Sequence, residues 1–247
     1  MATPSGRHRN LNEGDKTKRK ENLEHMKSLA ATFKNPQDAF KSVHIAGTNG
    51  KGSVSHKVAA ALQASGFKVG LFTSPHIETF RERIRVNDEM ITEPVVTKYA
   101  NAIFDVLASG QMPVSFFDIV TMTAFKHFRD QKVDYAVVEC GLGGTLDGTN
   151  IVQNVACAAV TSIGRDHEDI LGPKLKDIAF WKAGIIKPGI GGCVLGPSTK
   201  EYKVFHEKFA ESGCPKERLK QVKVDEGVGY PEVNNLIAKK VVQIVMS

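Results

Sequence analysis

The chain has 247 residues, of which 41% are hydrophobic, and its formal net charge is +6. A chain of this size buries the core of one large domain. Its positive charges are scattered, which favours a solvated basic surface or a site for anionic substrates over a nucleic-acid interface. The four cysteines show no C-x-x-C spacing, so we predict neither a zinc site nor a disulfide framework.

The N-terminal segment, residues 1–21, is polar and has no hydrophobic stretch of the kind found in secretory signals. We predict a mobile tail here, followed by one domain over residues 22–247. No apolar run approaches the ~20 residues needed to span a bilayer, and we expect no membrane partner. We expect a monomer in the cytoplasm, with a mitochondrial location as the alternative.

The elements along the chain follow from the spacing of apolar residues. In chain order, the predicted strands cover residues 42–46, 68–73, 134–139, 155–162 and 193–195. The predicted helices begin near residues 53, 92 and 115, and the later ones cover residues 174–187, 199–212 and 232–245. Ser115 and Asp118 have the spacing of a capping box. Strands that alternate with helices predict an α/β fold, a three-layer and mostly parallel open sheet.

Polar or glycine-rich motifs follow four of the predicted strands. They cover residues 47–53, 73–76, 139–150 and 162–167. Parallel strands place their carboxyl ends at one edge of the sheet, and open α/β sheets bind ligands at that edge. We therefore expect one site that collects all four motifs.

The stretch HIAGTNGKGSV, residues 44–54, predicts a phosphate-binding loop between a strand and a helix. It departs from the common G-x-x-x-x-G-K-[ST] spacing. Lys51 would bridge phosphate oxygens and Ser53 would be a Mg²⁺ ligand, whereas a glycine-rich turn without a ligand is the alternative. The candidate nucleotide-binding residues of the loop are Gly47, Thr48, Asn49, Gly50, Lys51, Gly52 and Ser53.

Three further residues at strand ends, Ser74, Glu139 and His167, suggest a site for a hard metal ion. Histidine would be an unusual extra ligand for Mg²⁺. The alternatives are a solvated carboxylate at a strand tip and a structural histidine. Lys182 lies within a predicted helix, where a solvated lysine is the default and a functional role is the alternative.

Five motifs together point to a family. In chain order they are HIAGTNGKGSV, TSPHIETFRERIRVN, VVECGLGGTLDGTN, SIGRDHEDILG and WKAGIIKPG. From about residue 22 onward, the sequence resembles the folylpolyglutamate synthase and dihydrofolate synthase family, a branch of the Mur-type ATP-dependent amide ligases. In this superfamily the sequence GTNGK replaces the common G-x-x-x-x-G-K motif. A Gly-Ser pair directly after the lysine is typical of the folate branch.

The resemblance implies that ATP phosphorylates a carboxylate of the folate, or of dihydropteroate, and that L-glutamate attacks the resulting acyl phosphate. By similarity, Lys51 and the loop amides hold the phosphates, with Ser53 close to the metal. Ser74, Glu139 and His167 look like the ligands of a second Mg²⁺. Lys182 matches a carbamylated lysine that helps to position this metal, so Lys51, Lys182 and His167 are the candidate catalytic residues.

The same resemblance suggests Phe80 and Arg83 as folate contacts and Asn235 as the asparagine near adenine. The sequence also departs from the family pattern at several positions. Trp181 stands where glutamate is common before the lysine, and Arg165 replaces an apolar residue. Asp118 stands where the family usually has the glutamate of an FFE motif. Gly148 stands where an alanine often precedes Thr-Asn.

In the family, a second and smaller α/β domain follows the last helix and helps to bind glutamate. The sequence ends at Ser247, where that domain would begin, so we expect the N-terminal ATPase domain alone, with little activity by itself. A nucleotide- and folate-binding module without turnover is therefore a second hypothesis. A P-loop switch or transport ATPase is a third, and the TSPH and GLGG-LD-TN motifs weigh against it. The sequence leaves open the choice between folate and dihydropteroate.

Overall fold

The computed structural model describes residues 13–110, 112–199 and 202–247, with the side chains of residues 13–16 excepted. Its strands are β1 (Lys41–Ala46), β2 (Val69–Phe72), β3 (Ile84–Val86), β4 (Glu89–Met90), β5 (Tyr135–Glu139), β6 (Val155–Val160), β7 (Cys193–Leu195) and β8 (Leu219–Gln221). Its helices are α1 (Glu13–Thr32), α2 (Lys51–Ala64), α3 (Glu93–Ser109), α4 (Phe116–Asp130), α5 (Glu168–Leu171), α6 (Leu175–Ala183), α7 (Lys203–Glu211) and α8 (Tyr230–Val245).

The described strands form one sheet in the order β4-β3-β2-β5-β1-β6-β7-β8. From β2 to β8 along this order all pairs are parallel, and only β3 pairs antiparallel with both of its neighbours. Apolar runs such as YAVVE in β5 are buried along their whole length, as expected of parallel strands covered on both faces. The predicted α/β class with a mostly parallel open sheet is confirmed.

Two hydrophobic clusters fill the two sides of the sheet. On one side, Val54, Val58 and Leu62 of α2 and Ile237 and Val241 of α8 pack on alternate residues of β1 and β5. On the other side, buried residues of α1, α3, α4, α6 and α7 pack on the remaining alternate positions. The result is the predicted three-layer arrangement. Within the described residues, no helix combines the length and apolarity that a membrane span requires.

The first helix is an element that the sequence reasoning missed. Residues 13–21, placed in the predicted tail, form the first part of α1, and residues 1–12 lie outside the described part of the chain. Leu23, Met26 and Leu29 are buried in the core. Their three-residue spacing is a helical signal that could have revealed this element.

Two predicted helices are shorter in the structure. The helix expected over residues 174–187 ends at Ala183. Pro188 has no N–H for the Gly184 carbonyl, which accepts a hydrogen bond from the Asn150 side chain (3.2 Å). Ile185 and Ile186 beyond it are buried. The helix expected over residues 199–212 begins only at Lys203. The last helix begins at Tyr230, two residues earlier than expected, with Pro231 in its first turn.

Candidate active site

The glycine loop connects the end of β1 to the start of α2. Gly50 caps α2 in the left-handed region (φ 84°), and a side chain there would overlap the amide of Asn234, so only glycine fits. The N–H groups of the first helical turn have no partners within the helix and face the loop. Lys51 Nζ donates to the carbonyls of Gly47 (3.0 Å) and Thr48 (3.1 Å). Backbone N–H groups and the Lys51 ammonium thus lie together at the loop, which is the arrangement of an anion-binding site.

Lys182 reaches the same loop from α6. Its side chain is 2% exposed, and its Nζ donates to the Gly47 carbonyl at 2.8 Å. Burial, together with the charge of Lys51, lowers the pKa of Lys182 to about 8. Thr145 packs closely against Gly184 just beyond α6. From the sequence, a solvated helical lysine was the default for this position. In the structure, Lys182 is instead buried and contacts the phosphate-binding loop.

Glu139 ends β5 and is buried next to the first turn of α2. Its Oε2 accepts a hydrogen bond from the backbone N–H of Ser74 (3.1 Å), and a Cβ added at Gly52 would lie 3.5 Å from the same oxygen. Burial raises the pKa of Glu139 to about 7. A carboxylate at this position is destabilised unless a cation approaches it. Ser74 and Glu139, 65 positions apart in the sequence, are thus adjacent, because they follow the neighbouring parallel strands β2 and β5.

His167 lies at the same edge of the sheet but is more open. It caps α5 with a positive φ of 49°, its side chain is half-exposed, and its Nε2 lies 3.5 Å from Asp166 Oδ1. Within the described residues, no hydrogen bond or ion pair joins His167 to Ser74 or Glu139, and no cluster of three or more His, Cys, Asp and Glu side chains is placed to hold a metal. The metal-binding role of His167 stays a prediction.

One cavity of about 800 Å³ opens at this edge of the sheet, and neither Glu139 nor Lys182 is among its lining residues. Lys51, Ser74, Arg83 and His167, all predicted site residues, lie along its wall. The wall also includes Asp147 and Gly148 of the predicted 139–150 motif, and four residues that we did not assign to the site, Lys18, Leu23, Phe117 and Asp118. The cavity therefore extends from the phosphate-binding loop to a mixed wall of one aromatic ring and two carboxylates.

The loop before β3 presents Arg83 to this cavity. The Glu82 carboxylate accepts three backbone N–H groups of residues 77–79, which lowers its pKa to about 2 and holds the loop in shape. Arg83 Nε donates to His76 Nδ1 at 2.8 Å. Phe80 packs near Phe116 (6.1 Å between ring centres) and does not line the cavity. Phe117 lines it instead, and the FF pair in the sequence was the available signal.

The structure also separates two neighbouring asparagines in α8. Asn235 is exposed and donates to Glu232 (3.4 Å). Asn234 is half-buried, with its side chain against Gly50 of the loop. We assigned the nucleotide contact to Asn235, but Asn234 is the residue that the fold places beside the phosphate-binding loop. Side chains of adjacent helical residues point about 100° apart. An error of one position in the sequence assignment therefore selects a side chain that points away from the loop.

Comparison with known families identifies the architecture. The model of the Mur ligase middle domain matches residues 45–218, from the end of β1 to the start of β8. The chain belongs to the Mur ligase family. The family resemblance inferred from the five motifs is confirmed. The match covers the glycine loop, Glu139, His167 and Lys182 in one continuous segment.

The curated relatives of this Mur ligase chain are folate enzymes. It is 41% identical over 188 residues to a folylpolyglutamate synthase of Arabidopsis thaliana, which covers 72% of this chain and 30% of the relative. It is 43% identical over 178 residues to a dihydrofolate synthase/folylpolyglutamate synthase of Bacillus subtilis, covering 69% of this chain and 41% of the relative. The chain thus spans less than half the length of either relative.

Solved structures agree with this placement. A folylpolyglutamate synthase from Thermotoga maritima superposes with a TM-score of 0.80 at 31% identity, over 91% of this chain and 59% of that protein. A structure described as an FPGS–AMPPCP–folate complex gives a TM-score of 0.82 at 29% identity, over 92% and 63%. The Mur ligase chain therefore shares its fold with enzymes solved with an ATP analogue and a folate.

Proposed function

We propose that this chain carries the ATP-binding part of an amide ligase that joins L-glutamate to a folate. The observation that carries the proposal is the continuous cavity from Lys51 to Phe117. Its lining includes both Lys51 of the phosphate-binding loop and the aromatic ring of Phe117. The folylpolyglutamate synthase names of the relatives and the folate in a structural neighbour support the same substrate.

The proposed reaction activates a carboxylate, which is a poor electrophile, as an acyl phosphate that the glutamate amine then attacks. Lys51 and the amides of the loop bind the phosphates and offset the charge that develops on the transferred phosphoryl group. Arg83 lies along the same cavity, where it would hold the folate carboxylate in place. The acyl phosphate must be kept from water, which would otherwise hydrolyse it.

The donor set beside the loop suits Mg²⁺. Glu139 is a buried carboxylate without a cationic partner in hydrogen-bond contact among the described residues. The Ser74 backbone N–H donates to its Oε2, and a Cβ added at Gly52, the residue before Ser53, would lie 3.5 Å from the same oxygen. Oxygen ligands of this kind are those that Mg²⁺ prefers. The ion would neutralise phosphate charge when bound. We assign Ser53, Ser74 and Glu139 as its ligands, with His167 as a further ligand.

Carbamylation of Lys182 is part of the proposal. The pKa of about 8 leaves a neutral fraction of the amine near neutral pH, and only a neutral amine adds CO₂. The resulting carboxylate would carry negative charge to the loop that also holds Lys51. The carbonyl of Gly47 remains within reach of the carbamate N–H, so the contact between α6 and the loop would persist.

The second candidate substrate is dihydropteroate. A relative in Saccharomyces cerevisiae, 38% identical over 189 residues, is named dihydrofolate synthetase, and the Bacillus subtilis relative carries both names. Both substrates present a ring to the Phe117 wall and a carboxylate to the phosphate-binding loop. Dihydropteroate and tetrahydrofolate differ in the reduction state of the pterin ring and in the group that bears the carboxylate, so an experiment must decide between them.

The cellular location belongs to the proposal as well. Relatives in Homo sapiens and Cricetulus griseus are named mitochondrial folylpolyglutamate synthases. A cytoplasmic location is our first choice and a mitochondrial one the alternative. Microscopy of a fluorescent fusion made at the carboxyl end distinguishes the two.

The decisive experiment traps the acyl phosphate. The protein is incubated with ATP, Mg²⁺ and hydroxylamine, without glutamate, and with either tetrahydrofolate or dihydropteroate. We expect a hydroxamate of one of these compounds together with ADP, and neither product from Lys51→Ala. A parallel assay with L-glutamate measures the glutamylated product. ATP hydrolysis that does not depend on either compound would contradict the ligase, whereas tight binding of both ligands without hydroxamate would favour a binding module.

A further inference from the structure

The C-terminal end of α6 is capped by the segment that follows β5. Thr145 donates to the Trp181 carbonyl from both its backbone N–H and its hydroxyl, each at 2.9 Å. The Asn150 side chain donates to the Gly184 carbonyl at 3.2 Å and to the Thr145 carbonyl at 3.1 Å. The last carbonyls of a helix lack partners within the helix. A distant part of the chain therefore supplies the donors at this helix end.

Two glycines let the backbones meet at this junction. A Cβ added at Gly144 would lie 2.9 Å from the Trp181 carbonyl oxygen, and one added at Gly184 would overlap the Thr145 hydroxyl. Neither glycine has a left-handed φ, so the lack of space, and not the backbone conformation, excludes other residues. The segment after β5 thus packs directly on the last turn of α6.

Lys187 fixes the direction in which the Asn150 amide faces. Its Nζ lies 3.0 Å from the side-chain oxygen of Asn150. An ammonium group only donates and a carbonyl only accepts. One orientation of the amide therefore satisfies all three partners, with Oδ1 toward Lys187 and the NH₂ group toward the carbonyls of Thr145 and Gly184. Asn150 is in this way held as a donor to the helix end.

Lys182 lies in the last turn of α6, directly after Trp181. The helix has nine residues, and a helix this short keeps its position through tertiary contacts and not by itself. The lysine side chain is a flexible four-carbon stem, so the location of its ammonium depends on where the helix end is held. Among the described residues, the ammonium donates to the Gly47 carbonyl alone.

We propose that Thr145 and Asn150 are positioning residues, which cap α6 and thereby hold the Lys182 ammonium on the Gly47 carbonyl at the start of the phosphate-binding loop. Neither residue lines the large cavity, so both act through Lys182 and not on a ligand. The use of the loop for ATP rests on the proposed function. The mechanical link from the cap to the loop does not depend on it.

The link is tested without ligand by hydrogen–deuterium exchange in a double-mutant cycle. Asn150→Asp keeps an acceptor for Lys187 but removes both donors to the carbonyls. We expect exchange to be about fivefold faster, the factor for one lost hydrogen bond, in peptides that cover residues 175–186 and 44–54. In a Lys182→Met background the loop has already lost its contact with α6. There Asn150→Asp should still accelerate the first peptide and leave the second unchanged.

Asn101→Asp is the control, because it adds the same charge at an exposed position of α3. It should exchange as the wild type does. Thr145→Val removes one donor without adding charge, and it should show the same pattern with a smaller increase. It takes the place of Asn150→Asp if that variant does not fold. Equal acceleration of the 44–54 peptide in both backgrounds, as a general loss of stability predicts, would overturn the proposal, and so would no acceleration of it in either.

Calorimetric titration with AMPPCP and Mg²⁺ extends the cycle to the nucleotide. We expect Asn150→Asp to bind AMPPCP about threefold or more weakly than wild type, and Lys182→Met to bind it as the double variant does. A weaker affinity of the double variant would show that Asn150 acts by a route other than Lys182. If the wild type binds no AMPPCP, the proposed function falls, and the exchange cycle still decides the role of the cap.

Discussion

The Lys182 ammonium donates a 2.8 Å hydrogen bond to the carbonyl of Gly47, a residue 135 positions earlier in the chain. Lys51 donates to the same carbonyl at 3.0 Å. The first residue of the phosphate-binding loop is thus held by two lysines, one from α2 and one from α6. Burial, and then the nearby charge of Lys51, lower the pKa of Lys182 to about 8. The hydrogen bond from Lys182 therefore connects the phosphate-binding loop directly to α6.

The first prediction concerns carbamylation of Lys182. In buffer that contains ¹³C-bicarbonate near pH 8, we expect a carbamate resonance in the ¹³C NMR spectrum that Lys182→Arg abolishes. Lys187 is the matched control, since burial also lowers its pKa to about 8, but its amine donates to three oxygens of Asn150 and Val152. Lys187→Arg should keep the resonance. A spectrum without a carbamate signal, with or without AMPPCP and Mg²⁺, would contradict the assignment.

The second prediction tests the phosphate-binding loop. Lys51→Ala should weaken the binding of ATP and Mg²⁺ by about 1.5–3 kcal/mol, the scale of a hydrogen bond to a charged group. Isothermal titration calorimetry measures the difference. Lys57→Ala, an exposed lysine on the same helix, controls for the loss of a positive charge and should bind as wild type does. Equal affinities of Lys51→Ala and wild type would show that the loop does not bind phosphate.

The third prediction separates the two asparagines of α8. Because the side chain of Asn234 lies against Gly50 and that of Asn235 is bonded to Glu232, Asn234→Ala should weaken AMPPCP binding by about 1 kcal/mol or more. Asn235→Ala should change it by less than about 0.5 kcal/mol. The same titration measures both variants. The reverse order of effects would support the assignment from the sequence over that from the fold.

The fourth prediction is a pH dependence that Lys187 causes. Burial lowers its pKa from 10.5 to about 8 in the folded protein. Between these two values the unfolded chain holds a proton that the folded chain has released, so stability rises with pH in this window and is unaffected below it. Relative to Lys187→Met, the free energy of unfolding of the wild type should therefore grow by up to about 3 kcal/mol from pH 8 to 10.5.

Urea unfolding at several pH values measures this difference. Lys239→Met, at an exposed position of α8, serves as the control and should follow the wild type at every pH. Parallel curves for wild type and Lys187→Met would mean that the buried amine keeps its ordinary pKa. The test does not depend on nucleotide or folate.

Local patterns were sufficient for the central strands and for the cap of α4. The strands β1, β2, β5 and β6 are buried along most or all of their length, and each was predicted within about two residues. The short strands β3, β4 and β8 were not predicted, because each contains a charged residue that interrupts its apolar pattern. The strand β7, also three residues long, was predicted, because its residues CVL are all apolar. The Ser115–Asp118 capping box was predicted and is present, because both of its hydrogen bonds join residues only three positions apart.

The sequence by itself determined the layer order, the sheet edge at which the motifs meet, and the glycine loop with its lysine, because periodicity, turn chemistry and strand direction are local properties. Only the tertiary structure decided that Lys182 contacts Gly47, that Ser74 donates to Glu139, that Asn234 and not Asn235 faces the loop, and that Asn150 donates to Gly184. Each of these depends on how helices pack across the sheet. Packing depends on the simultaneous fit of many side chains. Such contacts between distant residues therefore cannot be predicted from the spacing of residues in the sequence.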